Sequence, residues 1–384
     1  MNGNIIHTYK TRNGSIRYGF SFYAGQNHEK GYTQTIKKRG FKTYDDALAA
    51  YYETKKAFDN GQLKPRVKRY KLKEIYDLWF SQYKQTVKES TYATTDRIAN
   101  KHILPLLGDY YIDAITVLRC QKAVNQWFRD APKTFNRYVV YSNNIFDYAV
   151  RLELIDSNPM KKVIKPRKGY EPKDFDNFYS KDELIKFLNC CKANGDDQIY
   201  MFFRLLAFSG MRKGETLALQ WSDVNFMNGT IRINKTVSKG MNNRLLIQSP
   251  KTRGSVRTIS IDAETMACLK EWRVKQQKRL FMLGYNSMKP NQLVFTNNHN
   301  KVLQPTKPTT WLDDIQEKYH LRHITVHGFR HTHCSLLFAA GIPVSDVKER
   351  LGHSNIETTL NVYTHVTANQ KKMTADKFAK FMDA

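Results

Sequence analysis

Near the start of the chain, apolar and polar positions alternate with a period of two in three short runs: residues 4–9 (NIIHTY), 15–25 (SIRYGFSFYAG) and 31–41 (GYTQTIKKRGF). That period predicts three strands, and Asn13-Gly14 between the first two predicts a tight turn. The pattern then changes to helical spacing over residues 46–61, with Thr43 suited to capping the start and Gly61 to stopping the end. Tyr18, Phe20 and Phe22 read as the apolar face packed on this helix. Three strands and one helix make a module too small to house an enzyme comfortably.

A basic stretch with Gly61, Pro65, Arg66, Lys68, Arg69 and Lys71 reads as a linker. Apolar residues then recur at helical spacing over 72–83, 91–102, 116–128 and 133–154, with Leu104–Asp109 (LPLLGD) read as a stop and turn. A second linker covers 161–176. After it, Ser180 and Glu183 form a capping box, residues 199–209 are an apolar helix ending at Gly210, and 230–237, 245–251 and 257–261 read as strands. Helices follow over 261–281, 310–319 and 327–340. Pro343 opens another that ends at Gly352, and Ser354 with Glu357 starts the next. The expected fold is therefore multidomain: a small three-stranded β-sheet plus helix (1–64), an all-α domain (70–165) and a mixed α+β domain with a C-terminal tail (177–384).

Charge sharpens this picture. Lys and Arg number 62 against 35 Asp and Glu among 384 residues, a formal charge of +27. An excess of that size, spread along the chain, favours a long polyanion over a small acidic metabolite. Five cysteines without C-x-x-C spacing read as reduced thiols with no disulfide framework. The start has no apolar signal region and no apolar run reaches 18 residues, so a cytoplasmic, soluble protein without membrane contact is expected. His320, His323, His327, His331, His333 and Cys334 crowd together, but helical phase spreads 331, 333 and 334 around the axis, and no metal or other cofactor is expected.

The most informative stretch is 324–367. It holds His327 and Arg330 in an H-x-x-R pattern, then Leu351-Gly352-His353, then Tyr363 ten residues after the second His. This pattern resembles the active-site signature of the tyrosine recombinase (phage integrase) family, in particular integrases of temperate phages and conjugative transposons. The family's earlier arginine matches Arg212 in SGMRKGE, and its lysine matches Lys251 in SPKTRGSVR. The resemblance implies an enzyme that cuts and rejoins DNA through a covalent 3′-phosphotyrosine and a Holliday junction, integrating and excising a mobile element.

In that chemistry Tyr363 is the nucleophile. Arg212 and Arg330 clamp the phosphate oxygens, His327 and His353 donate hydrogen bonds and handle the tyrosine proton, and Lys251 protonates the leaving 5′ oxygen. Lys251 as a simple phosphate contact is the competing reading, and Glu215 reads as an orienting carboxylate. By itself the 70–165 region suits a protein partner as readily as DNA. With the resemblance it becomes a core-binding domain, with Thr91, Thr94, Arg97, Lys101 and Lys133 as phosphate contacts. The first module becomes an arm-binding domain that uses Arg12, Arg17, Lys37, Lys38 and Arg39. Lys239, Arg253 and Arg257 are further DNA contacts near the site.

The implied partners are double-stranded DNA at core and arm attachment sites, a homo-tetramer in the synaptic complex formed from free monomers, a host DNA-bending protein and an excisionase, all inside a bacterial host cell. The tail beyond Tyr363 either packs on a neighbouring protomer or folds back on its own domain. Two other functions compete: a type IB topoisomerase-like relaxing enzyme, and a catalytically inactive architectural or regulatory DNA-binding protein.

Overall fold

The computed structural model of the chain describes residues 5–27, 32–60, 69–167, 177–250, 253–352 and Met382. The first module has the expected make-up. Strands β1 (Ile6–Lys10), β2 (Ile16–Asn27) and β3 (Tyr32–Phe41) form an antiparallel sheet in that order, followed by helix α1 (Tyr44–Asp59). Gly14 takes φ +77° in the first turn, where the Thr11 amide donates to the Ser15 carbonyl at 2.9 Å. Thr43 caps α1, its Oγ1 accepting from the Asp46 amide at 3.1 Å. Ile6 faces Phe20 across the β1–β2 ladder, and both are buried with Ala47 and Tyr51, one helical turn apart on α1.

Strand alternation then divides the basic residues of the sheet. Lys38 lies opposite Phe20, on the helix side, and its Nζ donates to Thr54 Oγ1 of α1 at 2.9 Å. Tyr9 pairs with Arg17, Gly19 with Arg39 and Ser21 with Lys37, so Arg17, Lys37 and Arg39 share the opposite face. There the Arg39 guanidinium sits 5.5 Å over the Tyr9 ring.

The helical region runs through α2 (Leu72–Thr86), α3 (Glu89–Ile98), a π-helical turn at Ala99–Ile103, α4 (Leu104–Leu107), α5 (Val117–Asp130) and α6 (Phe135–Arg151). The segment expected to be a stop and turn is thus helical up to Leu107. Pro105 is tolerated because it lies in the first turn of α4, where no intrahelical N–H bond is required of it. After α6, Asn158 accepts from the Met160 amide at 2.8 Å and donates to Asp147 at 3.0 Å, closing the region.

The described residues form two compact units. One holds the residues up to Leu78 with Ile103–Asp130 and Thr134–Ile164; the other holds Trp79–His102, Ala131–Lys133 and the residues from Lys165 onward. All of α3 therefore belongs by contact with the residues beyond 177. Within that second unit, Glu89 of α3 accepts from Arg244 at 2.8 Å, and Lys88 Nζ donates to the carbonyls of Ser249 and Pro250 at 2.9 and 3.0 Å.

The rest of this unit comprises α7 (Lys181–Ala193), α8 (Asp197–Ser209), α9 (Lys213–Leu217), β4 (Val224–Asn225), β5 (Thr230–Ile233), β6 (Thr236–Lys239), β7 (Leu245–Gln248), β8 (Arg257–Ser260), α10 (Ala263–Met282), α11 (Lys307–Lys318), α12 (Gly328–Ala339) and α13 (Val344–Leu351). The Ser180–Glu183 capping box is present, with bonds of 3.3 and 2.7 Å. The run expected as one strand over 230–237 is two. β5 pairs with β4 and β8, while β6 leaves to pair with β7, and Lys235 at the break binds both oxygens of Asp223 at 2.7 and 2.8 Å.

Helix α8 is apolar nearly all round, so it takes the centre of the core. Phe203 of α8, Phe187 of α7 and Phe329 of α12 meet with ring centroids 5.0 to 5.3 Å apart. All three are fully buried, each contributing roughly 1.5–3 kcal/mol. This cluster fixes the C-terminal end of α8 against the first turn of α12, where the site lies.

Candidate active site

Helix α8 ends at Gly210, whose φ of +65° and crowding both require glycine: an added Cβ would lie 2.6 Å from His333 Cδ2 and from Leu351 Cδ2. The tight stop delivers Arg212 to the head of α9 two residues later. Arg212 donates through Nη1 to Glu215 Oε1 at 2.8 Å and through Nη2 to the Gly352 carbonyl at 3.2 Å, while its amide donates to Glu215 Oε2 at 2.9 Å.

Helix α12 supplies the second arginine. Arg330 is 3% exposed and donates to the Gly210 carbonyl at 2.8 Å and the Leu351 carbonyl at 2.7 Å. Burial and the nearby Arg212 push its guanidinium down to about 9, which leaves it charged at neutral pH. His327, one turn ahead, is held below the ordinary histidine range by burial, then by Arg330 and Arg212, so neutral imidazole is favoured. Its ring meets that of His331 edge-on at 4.8 Å, and burial with His327 and Arg330 brings His331 down to about 4.

Glu215 joins the arginines. Burial raises its carboxyl, but Arg257, Arg212 and their hydrogen bonds overcome this and hold it below the ordinary carboxylate range. Arg257 of β8 donates to Glu215 Oε2 at 3.0 Å and, through Nε, to the Arg350 carbonyl at 2.7 Å. The carbonyls of Arg350, Leu351 and Gly352 are therefore taken in turn by Arg257, Arg330 and Arg212. These are the carbonyls a helix C-terminus leaves unpaired, at the negative end of its dipole. Gly352 turns the chain at φ +65°, and a Cβ there would come within 3.2 Å of Arg257.

His333, outside the sequence signature, braces the same corner. Its Nδ1 lies 2.7 Å from the Ala207 carbonyl and its Nε2 accepts from Arg350 Nε at 3.0 Å, so the ring is neutral with its proton on Nδ1. Burial, then Arg350, brings it down to about 4.

Of the six expected catalytic residues, Arg212, His327 and Arg330 come together at one corner; Lys251, His353 and Tyr363 lie outside the described residues. Arg257, expected as a DNA contact, has a side chain that is 7% exposed and bonds Glu215 and the backbone carbonyls of Arg350 and Ser255, which places it in the frame of the site. The side chain of Arg253 lies outside the described set. Lys239 is half-buried, and Lys213, which sequence reasoning passed over, is pushed below the ordinary lysine range by burial and then by Lys239. Its signal was its place directly after Arg212. Lys213 and Arg212 line an open cleft of about 680 Å³ with Thr236, His323, Thr325 and His327.

Among the other expected contacts, Arg97, Lys101 and Lys133 are exposed; Thr91 is half-buried, and Thr94 turns its hydroxyl to the Ser90 carbonyl at 2.9 Å. Arg12, Lys37 and Arg39 are exposed in the first module, whereas Lys38 bonds to α1 rather than joining their face. Among the described residues, no group of three or more His, Cys, Asp or Glu could hold a metal ion, and no helix is long and apolar enough to cross a membrane.

Residues 177–370 match the phage integrase family, and residues 71–128 match the phage integrase N-terminal SAM-like domain. The chain belongs to the phage integrase family. It is a site-specific tyrosine recombinase of the kind that cleaves and transfers DNA strands when mobile elements integrate. The recombinase is 29% identical over 308 residues to the ICEBs1 integrase of Bacillus subtilis (strain 168), covering 76% of this chain and 77% of that one. Its fold is similar to a Tn1549 transposon integrase fragment in complex with transposon right-end DNA, with a TM-score of 0.65 and 21% identity over 80% of this chain and 99% of that chain. It is also similar to a lambda integrase dimer bound to a core site, with a TM-score of 0.56 and 13% identity over 92% of this chain and 93% of that chain.

Proposed function

We propose that this recombinase works through Arg212, Lys251, His327, Arg330, His353 and Tyr363 on the scissile phosphate of double-stranded DNA. The observation that carries the reading is the convergence of Arg212 and Arg330 on the last carbonyls of α13, one residue before His353. Arg212 and Arg257 share the Glu215 carboxylate there while Arg330 bonds the Leu351 carbonyl, and the surplus of three guanidinium groups over one carboxylate suits a phosphate that gains negative charge at the transition state. The Tyr363 oxygen attacks phosphorus and its proton passes to His353 or His327. The P–O5′ bond breaks, with Lys251 giving a proton to the departing 5′ oxygen. The 5′ hydroxyl of a partner strand then attacks the 3′-phosphotyrosine and restores DNA, the bond energy having been kept in the ester.

Around this centre, three parts divide the DNA: 1–64 on arm sites through the Arg17, Lys37 and Arg39 face, 70–165 on the core site, and 177–384 on the phosphate. A DNA-bound tetramer in the bacterial cytoplasm, a host bending protein and an excisionase complete the reading. The relatives solved with core-site and transposon-end DNA support the DNA part of it. The test is a nicked suicide duplex carrying the core site, first located by footprinting the protein on the element's attachment DNA. Wild-type protein should leave a covalent 3′ adduct and Tyr363→Phe none; an adduct of equal yield in the variant would refute the role of Tyr363.

A further inference from the structure

Arg212 is held at both ends of its fork, and each holder leads to Arg257. Glu215 accepts from Arg212 at 2.8 Å and from Arg257 at 3.0 Å, while the last carbonyls of α13 accept from Arg257 at residue 350 and from Arg212 at residue 352. Glu215 and Arg257 are 3% and 7% exposed at the side chain, so the pair is shielded from the solvent that weakens surface ion pairs. Gly352 approaches closely: an added Cβ would lie 3.1 Å from the Gly254 carbonyl and 3.2 Å from Arg257. The guanidinium is therefore a planar fork used in two directions, toward a carboxylate and toward a helix end, a geometry that lysine cannot reproduce.

We propose that Arg257 is a positioning residue for strand cleavage: by binding Glu215 and the end of α13 together, it fixes the direction of the Arg212 fork relative to the segment that leads into His353. It acts through Arg212 and does not touch DNA. The inference rests on the reading of Arg212 as a phosphate-gripping residue, and the experiment separates the two.

Full-length Arg257→Met, Arg257→Lys and Arg212→Ala proteins and the Arg257→Met/Arg212→Ala double variant are compared with wild type in single-turnover cleavage of the suicide duplex. Each is run with an ordinary scissile phosphate and with a methylphosphonate, which lacks one negative oxygen. Arg257→Met should cleave on the order of 10- to 100-fold more slowly, a smaller loss than the roughly 100- to 1,000-fold seen when a transition-state donor is itself removed. Its DNA affinity and salt dependence should stay within about twofold of wild type, because no phosphate contact is removed. Its defect should shrink on the methylphosphonate as that of Arg212→Ala does, and the double variant should be little slower than Arg212→Ala. Arg257→Lys, which keeps a charge beside Glu215, should fold and still lose most of the rate.

An Arg257→Met defect equal on both substrates, or multiplying fully with that of Arg212→Ala, would overturn the proposal in favour of a general packing role. A salt slope lowered by about one in the Arg257 variants would overturn it in favour of a direct DNA contact. If Arg212→Ala itself cleaves at the wild-type rate, the reading of Arg212 fails and Arg257 loses its role with it. If Arg257→Met unfolds, Arg257→Lys carries the same comparison, and a wild-type rate there refutes the proposal.

Discussion

Replacing Glu215 by glutamine tests how much of this corner depends on one buried carboxylate. The group accepts from Arg212 through a side-chain and an amide donor and from Arg257 through two guanidinium nitrogens. Glutamine keeps one acceptor oxygen and turns an NH2 group toward either Arg257, which is buried, or Arg212, which is 37% exposed at the side chain, so one guanidinium loses its partner inside a site where Glu215 itself is buried. Removing one member of a buried ion pair costs about 3–5 kcal/mol. The retained oxygen places Glu215→Gln at the lower end, about 3 kcal/mol, and Glu215→Ala at the upper. A unit of this size loses roughly 2–4 °C of melting temperature per kcal/mol, so Glu215→Gln should melt about 6–12 °C lower at pH 7.

The pH dependence gives a second reading of the same bond. Because the folded-state carboxyl lies below its unfolded value, its contribution is present above the unfolded value near 4.5 and is lost as pH falls through the folded one. The gap between wild type and Glu215→Gln should therefore be full at pH 7 and narrow as pH drops below about 4.5. Calorimetric melts of both proteins from pH 3.5 to 7 measure it. A difference under 2 °C at pH 7, or a gap that widens in acid, would refute the reasoning.

Three further outcomes follow from other contacts. Gly210→Ala forces a Cβ to within 2.6 Å of His333 and Leu351 at φ +65°; it should lower stability by about 2 kcal/mol or more and slow cleavage, and unchanged melting would count against the tight stop before Arg212. His333 is held neutral at about 4, below its unfolded value, so acid favours the unfolded chain: stability should fall as pH drops from about 6.5 toward about 4, and His333→Gln should flatten that slope in thermal melts. In the first module, Arg39→Ala should weaken arm-DNA binding and reduce the salt slope by about one, whereas Lys38→Ala, on the helix side, should leave the slope unchanged; equal effects in fluorescence anisotropy titrations would contradict the division of faces.

Much of this was legible along the chain because local rules govern it. Period two placed three strands and packed Phe20 on α1, Ser180 with Glu183 announced α7, and an apolar run ending in glycine announced α8 and the arginine after it. The motif residues Arg212, His327 and Arg330 were picked out by spacing and resemblance, and the structure brings them to one corner, with Glu215 accepting from Arg212. Local rules fell short where a partner far away in sequence decided the outcome. The run 230–237 breaks because β5 and β6 find different neighbours, and Lys38, though exposed, lies on the helix side because it faces Phe20 across a ladder. Along the chain Arg257 looked like one more basic residue for DNA, at the head of a strand. Only the tertiary structure, by bringing it to Glu215, 42 positions earlier, and to the carbonyl of Arg350, 93 positions later, made it part of the frame. A hydrophobic period reports which face a side chain is on, and a motif reports which chemistry is available. Neither reports which buried charge a guanidinium will find, because that depends on packing among segments that the chain brings together only when it folds.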